Sequence, residues 1–359
     1  MTASPSPARS VARSAPRRCA PLRLAMAALV ALPLSALPAA PALAQKVGTT
    51  SFQFLKVMPS ARATGMGDAY GALADGAEAL FWNPAGVAGT RGHAVTATYI
   101  PYLVDTQVTS VGYAVSMGNA GRVGVQLQSV DYGELAETRT DRLGFDPDGT
   151  YNPGLTGSTF SPTAFAVGVT YARNLTERFS TGITAKYVTE SLYDGAYTGA
   201  GGTFDTSAGA ALFDIGIQYE TGFRSLDIAM AVQNFGPEVA FVEEAFSAPL
   251  TFRLGAAADL VGADGIVRQD PTNRLTVAYD LHQPNDYDQQ MQLGLEYTFA
   301  DLVSLRTGYK LNYDVEGLTF GAGVNADLRG AQLGVDYSYG GMGEYLDGVH
   351  RITVGATLR

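Results

Sequence analysis

The amino-acid sequence predicts an all-β fold, a transmembrane antiparallel β-barrel of about fourteen strands with a small N-terminal plug that contains short helices. Three observations lead to this prediction. The chain begins with an export signal, its residues alternate between apolar and polar from residue 93 onward, and the connections between the alternating segments are in turn short and long. A single-chain barrel of the bacterial outer membrane combines all three features.

The N-terminal residues predict export from the cytoplasm. Five arginines precede an apolar run from Leu24 to Leu37, which is followed by Ala42-Leu43-Ala44. A basic region, a short apolar region and a small-x-small motif are the parts of a cleavable signal peptide. A transmembrane anchor is disfavoured because the apolar run is short and contains Pro33. We therefore assign residues 1–44 to a signal peptide and expect the mature chain in the cell outer membrane.

The single cysteine and the charge of the chain exclude several classes of function. Cys19 precedes the apolar run and leaves with the signal peptide, so the mature chain has no thiol for a disulfide, a zinc site or a nucleophile. Of 24 basic and 34 acidic residues, five arginines leave as well, which gives 19 against 34 and a net charge of −15. Nucleic acid is therefore not an expected partner. A high-salt habitat and acidic external loops both stay open as explanations of this acidity.

The alternation of residue types is the observation that decides the fold class. Between Met291 and Phe299, large apolar residues alternate with Gln, Gly, Glu and Thr, and Leu318–Leu328 and Phe213–Tyr219 follow the same pattern. In a barrel the apolar face meets lipid and the polar face lines the lumen. Strands are predicted at 93–102, 107–117, 121–131, 162–173, 179–192, 208–221, 225–235, 250–260, 273–281, 291–299, 303–312, 318–328, 332–339 and 350–358. Their number is even, as a single-chain bacterial barrel requires.

The connections predict which end of the barrel faces the periplasm. Short turns fall at 118–121, 174–178, 222–224, 300–302 and 329–331, and longer stretches rich in Gly, Pro, Asp and Thr, interpreted as loops, fall at 132–161, 193–207 and 236–249. Short turns are typical of the periplasmic end and long loops of the extracellular end. The segment 261–272 is a longer periplasmic connection, and the last strand lacks the terminal aromatic residue usual in such barrels.

A soluble β-sandwich or β-solenoid is the alternative, because its strands also alternate. In a soluble fold the apolar face would be the inside, and in a barrel it is the outside. The uniform strand length, the tyrosines near strand ends and the signal peptide favour the barrel.

Residues 45–92 show a different pattern. Apolar residues at helical spacing from Tyr70 to Phe81 predict two short helices, the second capped by Asp75. This helix is expected to end at Asn83, because a residue before proline is driven out of the α region. Gly65-Met66-Gly67 is interpreted as a flexible part of the segment.

Two runs in this segment resemble a known family. The run Ala61–Ala69 contains Gly65, Met66 and Gly67, and the run Phe81–Ala88 contains Trp82, Asn83, Pro84 and Ala85. Together they resemble the N-terminal signature of the PorV/PorQ proteins, relatives of the long-chain fatty acid transporter FadL. The Asn83-Pro84-Ala85 step is similar to one in the N-terminal hatch of FadL. The resemblance implies that residues 45–92 form a plug or hatch inside a barrel of residues 93–359.

The resemblance implies two alternative roles. PorV-like members act in type IX secretion, where the barrel receives secreted proteins and passes them to attachment at the cell surface. FadL-like members let hydrophobic compounds cross the outer membrane through the barrel. The expected partners are outer-membrane lipid together with secreted protein substrates or other secretion components, or hydrophobic small molecules. The plug motif is common to both roles, and a structural or adhesin-like porin is a third alternative.

The sequence offers little sign of catalysis. Gly65-x-Gly67 followed by Gly71 does not have the spacing of a dinucleotide-binding loop, and no strand precedes it. The three histidines, His93, His282 and His350, stand alone near strand ends without the spacing of metal ligands. We therefore expect no enzyme activity, no cofactor and no metal, with a serine and histidine hydrolase inside the barrel as the remote alternative.

Charged residues on the polar face of the predicted strands are expected to point into the lumen. The main candidates are Lys186, Glu190, Asp214, Arg253, Glu296, Arg306, Lys310 and Asp327. A mixed-sign network of such charges would be able to hold the plug. The simpler interpretation, which we favour, is charge pairing across neighbouring strands, and the functional one is a polar translocation path. A purely apolar tunnel for fatty acids would not carry so many charges, which favours the secretion role.

Overall fold

The computed structural model describes residues 48–358 except 200, 201, 243 and 345, and it does not describe the side chains of 194–204. The predicted signal peptide, residues 1–44, lies outside the described residues. In the described part of the chain no helix is long and apolar enough to cross a membrane.

The strands occupy most of the chain after residue 92. In chain order they are β1 (His93–Pro101), β2 (Gln107–Ser116), β3 (Arg122–Asp131), β4 (Leu135–Phe145), β5 (Tyr151–Phe160), β6 (Thr163–Asn174), β7 (Phe179–Gly199), β8 (Gly202–Glu220), β9 (Asp227–Phe235), β10 (Val239–Ala240), β11 (Ala245–Phe246), β12 (Thr251–Gly262), β13 (Arg268–Gln269), β14 (Asn273–Pro284), β15 (Gln290–Phe299), β16 (Val303–Leu311), β17 (Leu318–Leu328), β18 (Ala331–Gly340) and β19 (Val349–Leu358).

Within the described residues, fourteen of these strands form one closed antiparallel barrel. Every strand except β4, β5, β10, β11 and β13 belongs to it, and neighbours in the chain are neighbours in the wall. The barrel closes where β1 pairs with β19, from His93 opposite Leu358 to Tyr99 opposite Ile352. The predicted fold class is therefore confirmed, and the fourteen predicted strands are the fourteen strands of the wall.

The polarity of the barrel is the reverse of that of a soluble β protein. In β15 the outward residues Leu293 and Phe299 are exposed, whereas the inward residues Gln292 and Glu296 are each only 1% exposed. The same pattern, with buried polar and exposed apolar side chains, recurs around the wall. Apolar groups outside and charged groups inside match a lipid environment and contradict the β-sandwich alternative.

Two stretches interpreted as loops contain strands, and that interpretation is wrong for both. β4 and β5 form a two-stranded hairpin within 132–161, and β7 and β8 continue their ladder as far as Gly199 and Gly202. In β5 the loop-forming residue types occupy special positions. Gly154 and Gly157 have φ of 82° and 85°, and Pro153 pairs with Leu143 across the hairpin. Irregular strands of this kind keep the glycine and proline of a loop.

The residues before β1, Gly48–Gly92, form an N-terminal segment with little regular structure. It contains helix α1 (Ala61–Gly65), helix α2 (Ala79–Trp82) and 3₁₀ turns at Gln53–Lys56 and Pro84–Gly89. Asn83 has the extended φ and ψ of −150° and 109°, as expected for a residue before proline. The predicted cap by Asp75 is wrong, because α2 begins at Ala79 and its first turn has no side-chain cap.

Candidate functional site

The N-terminal segment contacts inward-facing groups of strands on different sides of the barrel. The backbone N–H of Ala61 donates to Thr353 Oγ1 of β19 at 2.9 Å, and Thr319 of β17 donates to the carbonyl of Gly65 at 3.3 Å. On another side, Gln218 of β8 donates to the carbonyl of Ala74 at 2.8 Å. The segment therefore lies within the lumen, and most of its side chains are buried.

Gly65 and Gly67 allow the segment to approach the wall at backbone distance. A Cβ atom on Gly65 would stand 3.0 Å from the Cα of Gly321, and one on Gly67 would stand 2.8 Å from the backbone nitrogen of Tyr309. Gly67 also has φ of +65°, which L side chains rarely adopt. Met66 between them is fully buried. Only glycine fits at these two positions, so the run packs tightly against the wall. The sequence-based interpretation of this run as flexible is not supported by these contacts.

Trp82 and Asn83 form the centre of the second motif. The Trp82 ring is fully buried, meets Tyr70 edge-on with centroids 5.7 Å apart, and carries the Arg253 guanidinium 4.8 Å from its centroid. Asn83 Nδ2 donates to the carbonyl of Ile217 in β8 at 3.2 Å. Its Oδ1 accepts from the backbone N–H of Ala85 at 3.1 Å, so one side chain caps the following turn and binds the wall.

Pro84 and Ala85 pack against β7, the strand next to β8 in the wall. Gly182 of β7 lies against the Pro84 carbonyl and the Ala85 nitrogen so closely that a side chain would not fit between them. All seven predicted motif residues thus lie inside the barrel, and the contacts made by each of the two runs need glycine either in the segment or in the wall.

A buried chain of charges links the segment to the wall. Arg62 of α1 donates to both oxygens of Glu296, at 2.8 and 3.0 Å, and Arg306 donates to one of the same two oxygens at 2.5 Å. Arg306 also binds Asp336 at 2.5 Å. Two arginines and two carboxylates from the segment, β15, β16 and β18 therefore neutralise one another inside the lumen.

Asp68 forms a second link. Its carboxylate pairs with Lys310 of β16, which also pairs with Glu316. Burial alone would raise the pKa of Asp68, but Lys310 and Arg351 outweigh burial and lower this pKa to about 2. Asp68 is therefore ionised over the whole physiological range of pH.

The remaining predicted charges occupy three different settings. Lys186 pairs with Asp214 at 2.8 Å, and Asp214 also accepts from the backbone N–H of Asn234 at 2.7 Å, where β9 bulges. Glu190 accepts from the Tyr132 hydroxyl at 3.0 Å. Asp327 shares the inward parity of its strand but is exposed near the short-turn end, apart from the others.

Arg253 has neutral hydrogen-bond partners in place of a carboxylate. It donates to Gln233 and Gln292, each at 3.3 Å, and stacks on the Trp82 ring. The described residues place no carboxylate in a salt bridge with it, although its side chain is buried. Arg253 therefore keeps a positive charge beside the cavity described next.

In the part of the chain that the structure describes, residues of the N-terminal segment line two separate cavities of the lumen. The one at the long-loop end has a volume of about 620 Å³, and its lining includes Phe54, Val108, Val130 and Arg253. The one at the short-turn end has a volume of about 690 Å³ and is lined by 72–76, 86, 88–91 and the ends of neighbouring strands. The two cavities share no lining residue, so the segment stands between them.

Two carboxylates that bind the segment were not among the predicted site residues. Asp280 of β14 accepts from the backbone N–H of Gly71 at 2.7 Å, and Asp286 accepts from Thr50 at 3.0 Å and from Lys56 at 2.5 Å. The alternation in 273–281 places Asp280 on the inward face and so contains the signal for it. Asp286 lies in a loop, where alternation carries no information.

The three histidines lie at separate positions and do not contact one another. His93 and His350 contact the hydroxyls of Tyr113 and Tyr337, each at 2.7 Å, on the exposed surface. His282 contacts Gln290 at 2.8 Å. Among the residues that the structure describes, no group of three or more His, Cys, Asp or Glu side chains is placed to hold a metal ion.

The acidic residues of the chain are concentrated at the long-loop end. The connections there and the β4–β5 hairpin contain Asp105, Glu134, Glu137, Asp141, Asp146, Asp148, Glu238, Glu244, Asp286, Asp288, Asp314, Glu316, Glu344 and Asp347, against Arg139 and Arg142, in their described part. At the short-turn end, acids are matched by arginines such as Arg178, Arg224 and Arg274. This distribution favours acidic external loops as the origin of the negative net charge.

Comparison with protein families gives one match, and comparison with curated protein sequences gives none. The matching family is described as type IX secretion system protein PorV, and the match extends over residues 40–283. It therefore includes both motif runs of the N-terminal segment and the wall as far as β14.

Comparison with solved structures finds similar barrels. The toluene transporter TodX of Pseudomonas putida is 13% identical, covers 83% of this chain and 96% of its own, and superposes with a TM-score of 0.55. The monoaromatic hydrocarbon channel CymD is 10% identical, with coverages of 84% and 98% and a TM-score of 0.52. A Pseudomonas aeruginosa FadL homologue is 10% identical, with the same coverages and a TM-score of 0.50. At these identities the likeness concerns the fold alone.

Proposed function

This chain belongs to the PorV family of type IX secretion system proteins, and we propose that it is a non-enzymatic outer-membrane protein that assists type IX secretion or the surface attachment of secreted proteins. The observation that carries the proposal is the family match across residues 40–283, which includes the N-terminal segment and most of the wall. In this role residues 45–92 act as a plug and residues 93–359 as the barrel.

The filled lumen favours a role in which proteins bind at the extracellular end of the barrel and do not pass through it. The segment is tied to the wall through Arg62, Asp68 and Asn83, and a cavity lies on either side of it. A lumen filled in this way is unsuited to the passage of a folded protein. The part of the molecule free to meet a protein is the extracellular end, with its acidic connections and its projecting hairpin.

Deletion of the gene tests the proposal. We expect surface-attached proteins to decrease at the cell surface and to accumulate in the periplasm, and the wild-type gene to restore them. Immunoblots of surface-shaved and periplasmic fractions measure both pools, with an unrelated outer-membrane protein as the control for envelope damage. Unchanged amounts of surface-attached proteins in the deletion strain would contradict the proposal.

A second candidate function is transport of hydrophobic compounds in the manner of FadL. The specific observation in its favour is the extracellular-side cavity of about 620 Å³, whose lining combines Phe54, Val108 and Val130 with the buried cation of Arg253. Such a lining suits a small amphipathic or hydrophobic ligand. Uptake of a radiolabelled fatty acid or aromatic hydrocarbon into proteoliposomes, compared with empty vesicles, tests it. Equal rates in the two would count against transport, and ion conductance across a planar bilayer would instead indicate a porin.

A further inference from the structure

The β4–β5 hairpin projects from the barrel on the extracellular side. The strands before and after it, β3 and β6, pair directly with each other in the wall. In the described part of the chain, β4 and β5 pair only with each other. A two-stranded hairpin of this kind is only marginally stable in water unless a further element packs against it.

One face of the hairpin is apolar and open. Leu143 pairs with Pro153 and Phe145 with Tyr151, and residues opposite one another on antiparallel strands share a face. The Phe145 side chain is 75% exposed and Tyr151 is 57% exposed, although their rings touch edge-on with centroids 5.7 Å apart. Clustered exposed apolar residues at a loop tip indicate a surface that another molecule covers.

The two edges of the hairpin differ in their capacity to accept another strand. The backbone N–H of Asp146 donates to the Thr150 carbonyl at 2.8 Å, so the next pair, Phe145–Tyr151, is a non-hydrogen-bonded pair. The backbone groups of Leu143 and Phe145 then point away from β5. On the opposite edge Pro153 has no N–H to offer. The β4 edge is therefore the better template for an added strand.

Charge indicates what kind of molecule fits. The hairpin carries Glu137, Asp141, Asp146 and Asp148 in addition to its two arginines, and Arg139 is already paired with Asp141 at 3.1 Å. The connections around it are acidic as well. An anionic lipid surface would be repelled by this end, whereas a polypeptide with lysine or arginine would be attracted.

We propose that the β4 edge and the apolar face of the hairpin bind an extended, basic segment of a partner polypeptide by β-strand addition. Main-chain hydrogen bonds to Leu143 and Phe145 would hold the segment, and alternate side chains would cover the exposed rings. This inference deepens the proposed function, on which it rests for the partner being a secreted or secretion-system protein.

Binding of a synthetic peptide to the full-length protein in detergent tests the edge directly. The probe is a short fluorescent peptide that alternates valine and lysine, measured by anisotropy, with a valine and glutamate peptide as the charge control. Leu143→Pro removes the outward N–H of β4 without removing a hydrogen bond inside the hairpin. Tyr151→Pro, compared with Tyr151→Ala so that the ring is absent from both, makes the same change on the β5 edge and is the matched control. Heat-modifiable migration in gels shows that each variant retains the barrel.

We expect the basic peptide to bind the wild type, and Leu143→Pro or Phe145→Ala to weaken binding about tenfold or more, whereas Tyr151→Pro should bind it as well as Tyr151→Ala does. A loss in Tyr151→Pro relative to Tyr151→Ala as large as the loss in Leu143→Pro, no binding to the wild type, or binding of anionic lipid vesicles in place of the peptide would overturn the proposal. In cells, a secretion defect on gene deletion without one in Leu143→Pro would reject the hairpin and leave the proposed function intact. Normal secretion in the deletion strain would reject the proposed function itself.

Discussion

Replacement of Glu296 by glutamine tests whether buried charge pairing holds the N-terminal segment in the lumen. Glu296 is the shared partner of Arg62 and Arg306, through salt bridges of 2.8 and 2.5 Å. Glutamine has nearly the same shape but no charge, and its amide nitrogen donates where a carboxylate oxygen of Glu296 accepts from an arginine. The substitution therefore leaves two guanidinium groups with less compensation and creates no cavity.

The size of the effect follows from the burial of the three partners. Removal of one partner from a fully buried ion pair costs about 3–5 kcal/mol of unfolding free energy. Arg306 keeps Asp336, and the side chain of Arg62 is 30% exposed and regains some hydration. We therefore expect a loss of about 3 kcal/mol, at the lower end of that range.

The single tryptophan makes this loss measurable. Trp82 lies in the segment and is fully buried, so its fluorescence reports both unfolding in denaturant and quenching by acrylamide when the segment leaves the lumen. Asp327→Asn is the matched control, because it also neutralises a carboxylate of inward parity but at an exposed position, where a change within about 0.5 kcal/mol is expected. If Glu296→Gln behaves like this control in both measurements, the charges do not hold the segment.

Three further predictions concern the close contacts, the pH dependence and the fold. Gly67→Ala places a Cβ 2.8 Å from the Tyr309 nitrogen at φ of +65°. We therefore expect it to destabilise the protein by at least about 1–2 kcal/mol and to increase the quenching of Trp82. The control is Gly48→Ala, where φ is +72° but nothing lies within 4 Å, so that only the smaller conformational cost is expected. The pKa of Asp68 is lowered from 3.8 to about 2, so its contribution to stability is present above pH 3.8 and is lost as the pH falls toward 2. Asp68→Asn should therefore flatten the acid side of the profile of stability against pH, followed by Trp82 fluorescence. An unchanged profile would refute the pairing of Asp68. The folded barrel should migrate differently before and after boiling in detergent gels, and a band that never shifts would contradict the barrel.

The sequence predicted the wall well because a strand in a barrel is constrained by two solvents at once. Lipid on one side and a polar lumen on the other enforce alternation residue by residue, and this is why the bounds of strands such as β15 and β17 agree closely with those predicted. The hairpin β4–β5 lies outside the membrane, where only one solvent acts. Its residues 137–141 are charged or hydroxylated without apolar alternation, so the sequence pattern predicts a loop there.

The site was predictable only in part, for a related reason. The alternation of residues along a strand predicts that Glu296 and Lys310 point into the barrel. It does not predict their salt-bridge partners, because Arg62 and Asp68 lie in a segment without regular periodicity. The two glycines of the first motif were visible in the sequence, yet their reason, the backbone of β16 and β17 at contact distance, depends on where the segment lies. Contacts between irregular chain and wall are decided in three dimensions.

The charges in the lumen are better understood as specifying position than as a source of stability. Buried ion pairs contribute little more than well-packed apolar residues of the same volume, because desolvation offsets their attraction. Three of these pairs, however, each join the N-terminal segment to one defined place: Arg62 to β15, Asp68 to β16, and Lys56 to the loop after β14. An apolar lumen would accept the segment in many positions, whereas these three pairs all form together in one. A segment held so specifically between two cavities is difficult to reconcile with an open polar channel, and this directs the search for partners to the extracellular end, where the acidic connections and the open hairpin edge lie.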